Sequence, residues 1–317
     1  MTHARCLSRL RCVATAGLLC ALLVAGPALA RDPADGTVAM LGVTAIPDST
    51  ASAISITRGG SDSLGLTLGQ FGLPFTVAES FPLYLEGFLG YARYDPRFVA
   101  SGGESSRARL ARMNQVTGTV GVGWDVRLTD ELVLRPIANG VLGVVATDPA
   151  LFGGLINHRR DTELAIVEGG SSVATGWGGS LMLDYTRYRA SYELDVELRY
   201  SALSFAATER TPQGGRGEAN SQTLGLWARL RWPTGIELIG RPVRYVVEVA
   251  HSQFFGDQAN VLGFDRLTKV GGGLELDVGR TESTLLGFLY LERIRLVGRY
   301  VFGNNVSGFS VGLGFGF

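Results

Sequence analysis

His158 and His251 are the two histidines beyond residue 30, and His251 is followed at once by Ser252. A histidine within reach of a serine hydroxyl is the smallest arrangement for nucleophilic acyl chemistry, the imidazole taking the proton as the hydroxyl attacks. On a strand, however, adjacent side chains point to opposite faces, so this pair works only if one member finds its partner elsewhere in the fold. His158 sits beside Arg159, Arg160 and Asp161 and reads as part of a solvated, charged loop. Two isolated histidines with no cysteine and no spaced carboxylate pair give no metal-ligand pattern, so neither metal nor cofactor is expected. The run Gly271 to Gly273 lacks the following lysine and helix that a phosphate-cradling loop needs.

The other side chains with chemical potential are charges that recur at every second position. Glu193, Asp195 and Glu197 come first, then Arg229 and Arg231, then Arg244 and Glu248, then Lys269, Glu275 and Asp277, then Arg293, Arg295 and Arg299. Acidic, basic and mixed segments thus succeed one another. If the segments are neighbouring strands about 4.8 Å apart, these groups pair across the ladder. The pattern then has two meanings of equal standing: a network that fills and rigidifies an interior, or a charge-lined passage for a small polar solute.

Spacing of two implies strands, and the alternation from residue 51 onward is of that kind, broken by clusters of Gly, Pro, Asp, Asn and Ser. In 114–128, Val116, Gly118, Val120, Val122, Trp124, Val126 and Leu128 share one face, against Gln115, Thr117, Thr119, Asp125 and Arg127. In 190–204, Tyr192, Leu194, Val196, Leu198 and Tyr200 oppose the acidic face, with Tyr at both ends of the apolar one, as in an aromatic girdle. Leu224, Leu226, Ala228, Leu230 and Trp232 oppose Arg229 and Arg231 in 220–232. One face of each strand suits lipid and the other water.

Twelve strands are expected, at 51–58, 62–71, 82–94, 114–128, 131–146, 173–186, 190–204, 220–232, 242–255, 265–278, 286–302 and 306–317. With both ends on the periplasmic side, the long connections 95–113, 147–172 and 205–219 all fall outside, as an even-stranded outer-membrane barrel requires. His251 then shares the lipid side with Tyr245, Val247 and Val249, near the interface. The expected fold is all-β: a transmembrane antiparallel β-barrel of about twelve strands, preceded by a cleaved signal peptide.

The leader is read from Arg5, Arg9 and Arg11, an apolar stretch from Cys12 to Val24, and the small-residue site Ala28-Leu29-Ala30. Residues 1–30 are therefore the signal peptide, 31–50 a periplasmic or lumen-entering segment, and 51–317 the barrel. All three cysteines (Cys6, Cys12 and Cys20) lie in the leader, which excludes thiol chemistry from the exported protein. The leader carries three arginines and no acid, so the exported chain keeps 26 basic against 29 acidic residues of the total 29 and 29. No nucleic-acid partner is expected from that balance. The 44 glycines include several within strands, which points to tight curvature or to something in the lumen approaching closely.

The final strand places Ser307, Phe309, Val311, Leu313, Phe315 and Phe317 on one face. This aromatic ending resembles the sorting signal read by the barrel assembly machinery, and with twelve strands and almost no chain before them the sequence resembles the translocator β-domain of autotransporters, in a solitary form without a passenger. The resemblance covers roughly residues 51–317 and implies location and fold. It carries no catalytic residue, and implies outer-membrane lipid, lipopolysaccharide and the assembly machinery as partners.

The leading expectation for function is a non-enzymatic outer-membrane barrel, acting as a passive conduit or a structural surface protein with a charge-lined lumen. A lipid or lipid A hydrolase using His251 is the first alternative, although deacylases of that kind separate His and Ser by one residue and follow the Ser with Asn. An adhesion or binding platform on loops 95–113 and 147–172 is the second.

Overall fold

The computed structural model describes residues 33–46, 52–58, 65–78, 80–94, 112–147, 171–208, 216–279, 284–285, 289–290 and 292–316. Twelve antiparallel staves close into one ring among them. They are β1 (Ser52–Arg58), β2 (Gly65–Ala78), β3 (Phe81–Tyr94), β4 (Met113–Trp124), β5 (Leu132–Thr147), β6 (Ser171–Tyr188), β7 (Glu193–Ala207), β8 (Glu218–Leu238), β9 (Arg241–Gly256), β10 (Arg266–Asp277), β11 (Arg293–Gly303) and β12 (Val306–Gly316). Every stave pairs with its sequence neighbours, and the ring closes where Ser52 of β1 faces Gly312 of β12. Val126–Arg127 prolongs β4 past a break at Asp125 and pairs with the start of β5.

Closure leaves no free sheet edge, and the outward face is apolar: Val116, Val120, Val122 and Trp124 on β4, and Leu296, Phe309, Val311, Leu313 and Phe315 on the last two staves, are all exposed. Trp232 and Tyr245, register partners with ring centroids 5.7 Å apart, form part of an inner girdle. Tyr300 packs edge-on against Phe309, at 5.5 Å, nearer the outer end. A closed, even-stranded barrel with apolar side chains out and polar ones in is a transmembrane β-barrel of the outer-membrane type.

Strand boundaries differ from the sequence expectation in three places. β2 runs to Ala78 rather than 71 despite Pro74, because β1 pairs only with residues 65–70 and Pro74 lies where β2 is hydrogen-bonded on one side alone. β8 and β9 continue to a two-residue turn at 239–240 instead of ending at 232 and 242. The eleventh stave starts at Arg293, not at 286, since 285–291 is apolar at nearly every position and gives no alternation; a two-residue ladder, Thr284–Leu285 with Leu289–Tyr290, precedes it. Residues 1–30, His158, Phe317 and almost all of loops 95–113 and 147–172 lie outside the described residues.

Among the described residues the interior holds three short helices, α1 (Pro33–Ala39), α2 (Leu41–Ala45) and α3 (Asp257–Leu262). Pro33 opens α1 at a position where its missing N–H is no loss, and α3 is bounded by Gly256 and Gly263, both with φ near +67°. Val38, Ala39, Met40 and Leu41 pack with Ile54, Ile56, Leu66, Val145, Phe205, Phe254, Leu262 and Phe264 into one buried apolar cluster. A soluble-protein core thus occupies the outer half of a membrane barrel.

Candidate functional site

The wall is shaped to receive residues 33–46. Gly90, Gly143 and Gly217 present bare backbone to Thr44, Leu41 and Ala34, and a Cβ at these points would lie within 2.5, 2.8 and 2.3 Å of their atoms. The amide of Gln70 donates to the carbonyls of Val43, Thr44 and Ile46, at 3.3, 3.2 and 3.0 Å. Gln115 donates to the carbonyl of Met40 at 2.8 Å, and the Thr119 hydroxyl to that of Ala45 at 2.9 Å. Carbonyls at a helix C-terminus have no intrahelical donor, so Gln70 and Thr119 supply what the end of α2 lacks, while Gln115 adds a second donor to the Met40 carbonyl at its start. At the other end the Glu218 amide donates to Asp35 at 3.0 Å, which sets the start of α1 at the outer end of β8.

Below this plug the lumen is crossed by ions. Arg229 is the register partner of Asp195 and binds it at 2.7 Å; Arg231, opposite Glu193, contacts Glu193 at 3.1 Å and Asp195 at 2.8 Å. Glu275 lies within 4 Å of four guanidiniums: Arg231 at 3.3 Å, Arg244 at 3.9 Å, Arg293 at 3.8 Å and Arg295 at 3.1 Å. Arg244 also holds Glu193 at 2.7 Å and Asp277 at 3.1 Å, and Glu248 is held by Arg299 and, at 3.3 Å, by Arg295.

Several contacts pass over intervening staves instead of following the ladder. Arg293 faces Asp277 in register yet reaches Glu193 at 2.7 Å, with β8, β9 and β10 between them. Arg199 of β7 reaches Glu86 of β3 at 2.6 Å, with β4, β5 and β6 between. Glu86 also accepts from Tyr84 at 2.9 Å and Asn139 at 2.8 Å, so its charge is fully met. Arg135 pairs with Asp125, lies 3.4 Å from Asp184, and caps the Tyr84 ring at 4.0 Å. Buried ions of this kind are held by geometry, and removing one partner strands the other.

Between plug and ion layer lies a cavity with about 80 Å³ open to the centres of water-sized molecules, bordered by Glu197, Arg199, Trp227, Gln258 and Lys269 on its polar side and by Ile54 and Leu66 on its apolar side. That is room for several waters. Glu197 borders this space and takes no part in the ion pairs described above.

The structure therefore brings Glu193, Asp195, Arg229, Arg231, Arg244, Glu248, Glu275, Asp277, Arg293 and Arg295 together on the inner side, with Glu197 beside them. Alternation puts Arg199 on the inner face with the acidic residues of its stave, but it did not reveal Arg135 or Glu86, nor that Arg199 and Glu86, distant in both sequence and stave order, would meet. Gln70, Gln115 and Thr119 were also missed: a wall amide that caps a helix inside a barrel has no sequence signature except the glycines beside it. His251 and Ser252 stay apart. His251 alternates with the outward Tyr245, Val247 and Val249, its Nδ1 2.9 Å from the hydroxyl of its register partner Thr268, whereas Ser252 alternates with the buried Val246, Glu248 and Ala250 on the inner face. Phe309 and Phe315 stand on the outer face of β12. Among the described residues, no group of His, Cys, Asp and Glu could hold a metal ion.

No protein-family model and no curated protein matches the sequence. Solved structures similar to the chain include the β-domain of the Bordetella autotransporter BrkA, at 13% identity over 84% of this chain and 96% of that one, TM-score 0.46. The transport unit of the autotransporter AIDA-I from Escherichia coli matches at 12% identity over 90% and 99%, TM-score 0.42. LpxR from Salmonella typhimurium matches at 12% identity over 84% and 99%, TM-score 0.40. The fold described above rests on the closed ladder of this chain, not on these likenesses.

Proposed function

We propose that this protein is a sealed, non-catalytic structural barrel of the outer membrane, in which the N-terminal segment closes the lumen and a passage forms only when that segment leaves. The observation that carries this reading is the built seat for residues 33–46. Bare glycine backbone, Gln70, Gln115 and Thr119 fit one segment in one position, and the apolar cluster around Leu41 fills the outer half of the lumen apart from the small cavity beside it. A solute passing from end to end would have to displace α1 and α2 and then part the Arg293–Glu193 and Arg199–Glu86 contacts.

Among the described residues, His251 lies on the outward face beside Thr268 while Ser252 lies on the inward face, an arrangement that supports a role without catalysis. A structural role also accounts for the layered interior, since ion pairs that fill a lumen stiffen it without providing a continuous polar path.

The test is single-channel recording of refolded residues 31–317 in a planar bilayer, beside a variant lacking 31–50 and one with Gln70→Leu and Gln115→Leu that keeps full length. The sealed reading expects a silent bilayer from the parent protein and stepwise conductance from both variants. Steady conductance from the parent protein, with a heat-modifiable folded barrel on gels, would show the lumen to be an open conduit.

A further inference from the structure

Three polar groups that line the cavity between plug and ion layer are left unmet by the protein around them. Gln258 of α3 is 1% exposed; its amide oxygen accepts from the Thr223 hydroxyl at 3.2 Å, while its amide nitrogen meets no acceptor among the described residues. The buried indole nitrogen of Trp227 meets none there either. The carboxylate of Glu197, register partner of Trp227, makes no hydrogen bond and no ion pair among the described residues. Interior donors and acceptors are normally satisfied, and leaving one unmet costs stability, so three around one space point to a guest that meets them.

The wall leaves room for such a guest. Gly225 stands between Thr223 and Trp227 on the inward face of β8, and a Cβ there would have only the Arg199 carbonyl near it, at 3.9 Å. Across the cavity lie the aliphatic side chains of Ile54 and Leu66. One water-sized group takes up about 10–15 Å³ of the space that such groups' centres can reach, so the cavity admits roughly five to eight of them. Its charges balance: Arg199 is matched by Glu86, and Glu197 and Lys269 are one of each sign. An ionic guest would leave an excess charge in a desolvated place, which an uncharged one avoids.

We infer that this cavity is a binding site for a small uncharged polyol of about six heavy atoms. A hydroxyl group both donates and accepts, so one molecule can give a hydrogen to Glu197 and offer oxygens to the Trp227 and Gln258 nitrogens. Side chains of register partners such as Glu197 and Trp227 start about 5 Å apart, within reach of a single hydroxyl. The C–H face of the polyol lies against Ile54 and Leu66. Ordered water would meet the polar groups but gains nothing from that aliphatic side. The inference concerns the closed barrel and stands whether or not a passage ever opens.

The experiment follows the indole N–H signals of isotope-labelled tryptophan by NMR, in residues 31–317 refolded into micelles at increasing concentrations of glycerol, so that the guest is present as the plug closes. Trp227 is one of four tryptophans, and Trp124, Trp177 and Trp232 stand on the outward face. Expected is a saturable shift of the Trp227 signal, identified by its loss in Trp227→Phe, while the outward three drift only in proportion to glycerol. Gln258→Leu should weaken the binding at least tenfold. Gly225→Val, whose side chain enters the cavity from a bare stretch of wall, should abolish it, and heat-modifiability on gels confirms that both variants are folded. A Trp227 signal that stays still or drifts with the other three would leave water as the only occupant and overturn the proposal. A saturable shift that persists unweakened in either folded variant would overturn it too.

Discussion

Arg199 and Glu86 lie 113 residues apart in sequence and on staves separated by three others, yet their side chains meet across the lumen in a bidentate contact, Nη2 to Oε1 at 2.6 Å and Nη1 to Oε2 at 2.9 Å. Both are almost fully buried. A buried pair is worth little against an apolar replacement, but loss of one member costs about 3–5 kcal/mol because the other is left desolvated. Arg199→Met leaves Glu86 with only the neutral donors Tyr84 and Asn139, and Glu86→Met strands the guanidinium. Each single variant should lower the unfolding free energy of the refolded barrel, read from urea titration, by that order, while the double variant returns close to the parent. Two independent, additive losses would show that the contact is incidental.

How far such features can be read in the sequence depends on whether they follow the ladder. Alternation puts Glu193 and Asp195 on the inner face of one stave and Arg229 and Arg231 on that of the next, because a period of two and a stave order equal to sequence order need no knowledge of the interior; the register that sets Asp195 opposite Arg229 and Glu193 opposite Arg231 is seen in the structure. The same reasoning cannot find Arg199–Glu86 or Arg293–Glu193, since chords depend on barrel diameter and on which rotamers reach inward. The plug was harder still. Residues 33–45 are too few, and too interrupted by Gly, Thr and Val, for a strong helical signal, and Gln70, Gln115 and three glycines of distant staves accommodate them. The second strand was expected to end at 71, and it runs on to Ala78 because Pro74 falls where β2 is paired on one side alone.

The seat of the plug makes its glycines unequal. A Cβ at Gly90 or Gly217 would meet backbone carbonyl oxygens of Thr44 and Ala34, which cannot move without moving the plug, whereas at Gly143 it would meet the end of the Leu41 side chain, which can turn aside. Gly90→Ala and Gly217→Ala should therefore expose residues 33–46 to added protease in the folded barrel, and Gly143→Ala should do so much less. Gly87→Ala, with nothing within 4 Å, is the control and should match the parent. Equal protection in all four proteins would mean that the plug does not depend on this fit.

His251 lies on the lipid side beside Thr268, with no serine or carboxylate described as its partner. A side chain in that place serves as a polar group at the edge of the apolar belt. His251→Phe should leave the gel mobility of the folded barrel unchanged, and mass spectra of lipid A and phospholipid from cells making parent or variant protein should be identical. A deacylated species present with the parent and missing with the variant would restore the hydrolase reading.

Once the plug is removed, the ion layer becomes the narrowest part of the lumen. Asp195 is the carboxylate there that neutralises both Arg229 and Arg231, at 2.7 and 2.8 Å. Its replacement by Asn takes the charge partner from Arg229 and leaves Arg231 to Glu193 and Glu275, so the layer gains net positive charge in a space where charges are weakly screened, which favours anions. In a variant lacking residues 31–50, Asp195→Asn should shift the reversal potential under a KCl gradient toward that of chloride. Arg229→Gln should move it the other way, and the difference should shrink as salt rises from 0.1 to about 1 M, where the Debye length falls to roughly 3 Å. No shift with either substitution would place the conducting path of the unplugged barrel away from this cluster, along the wall that carries Glu86 and Arg199.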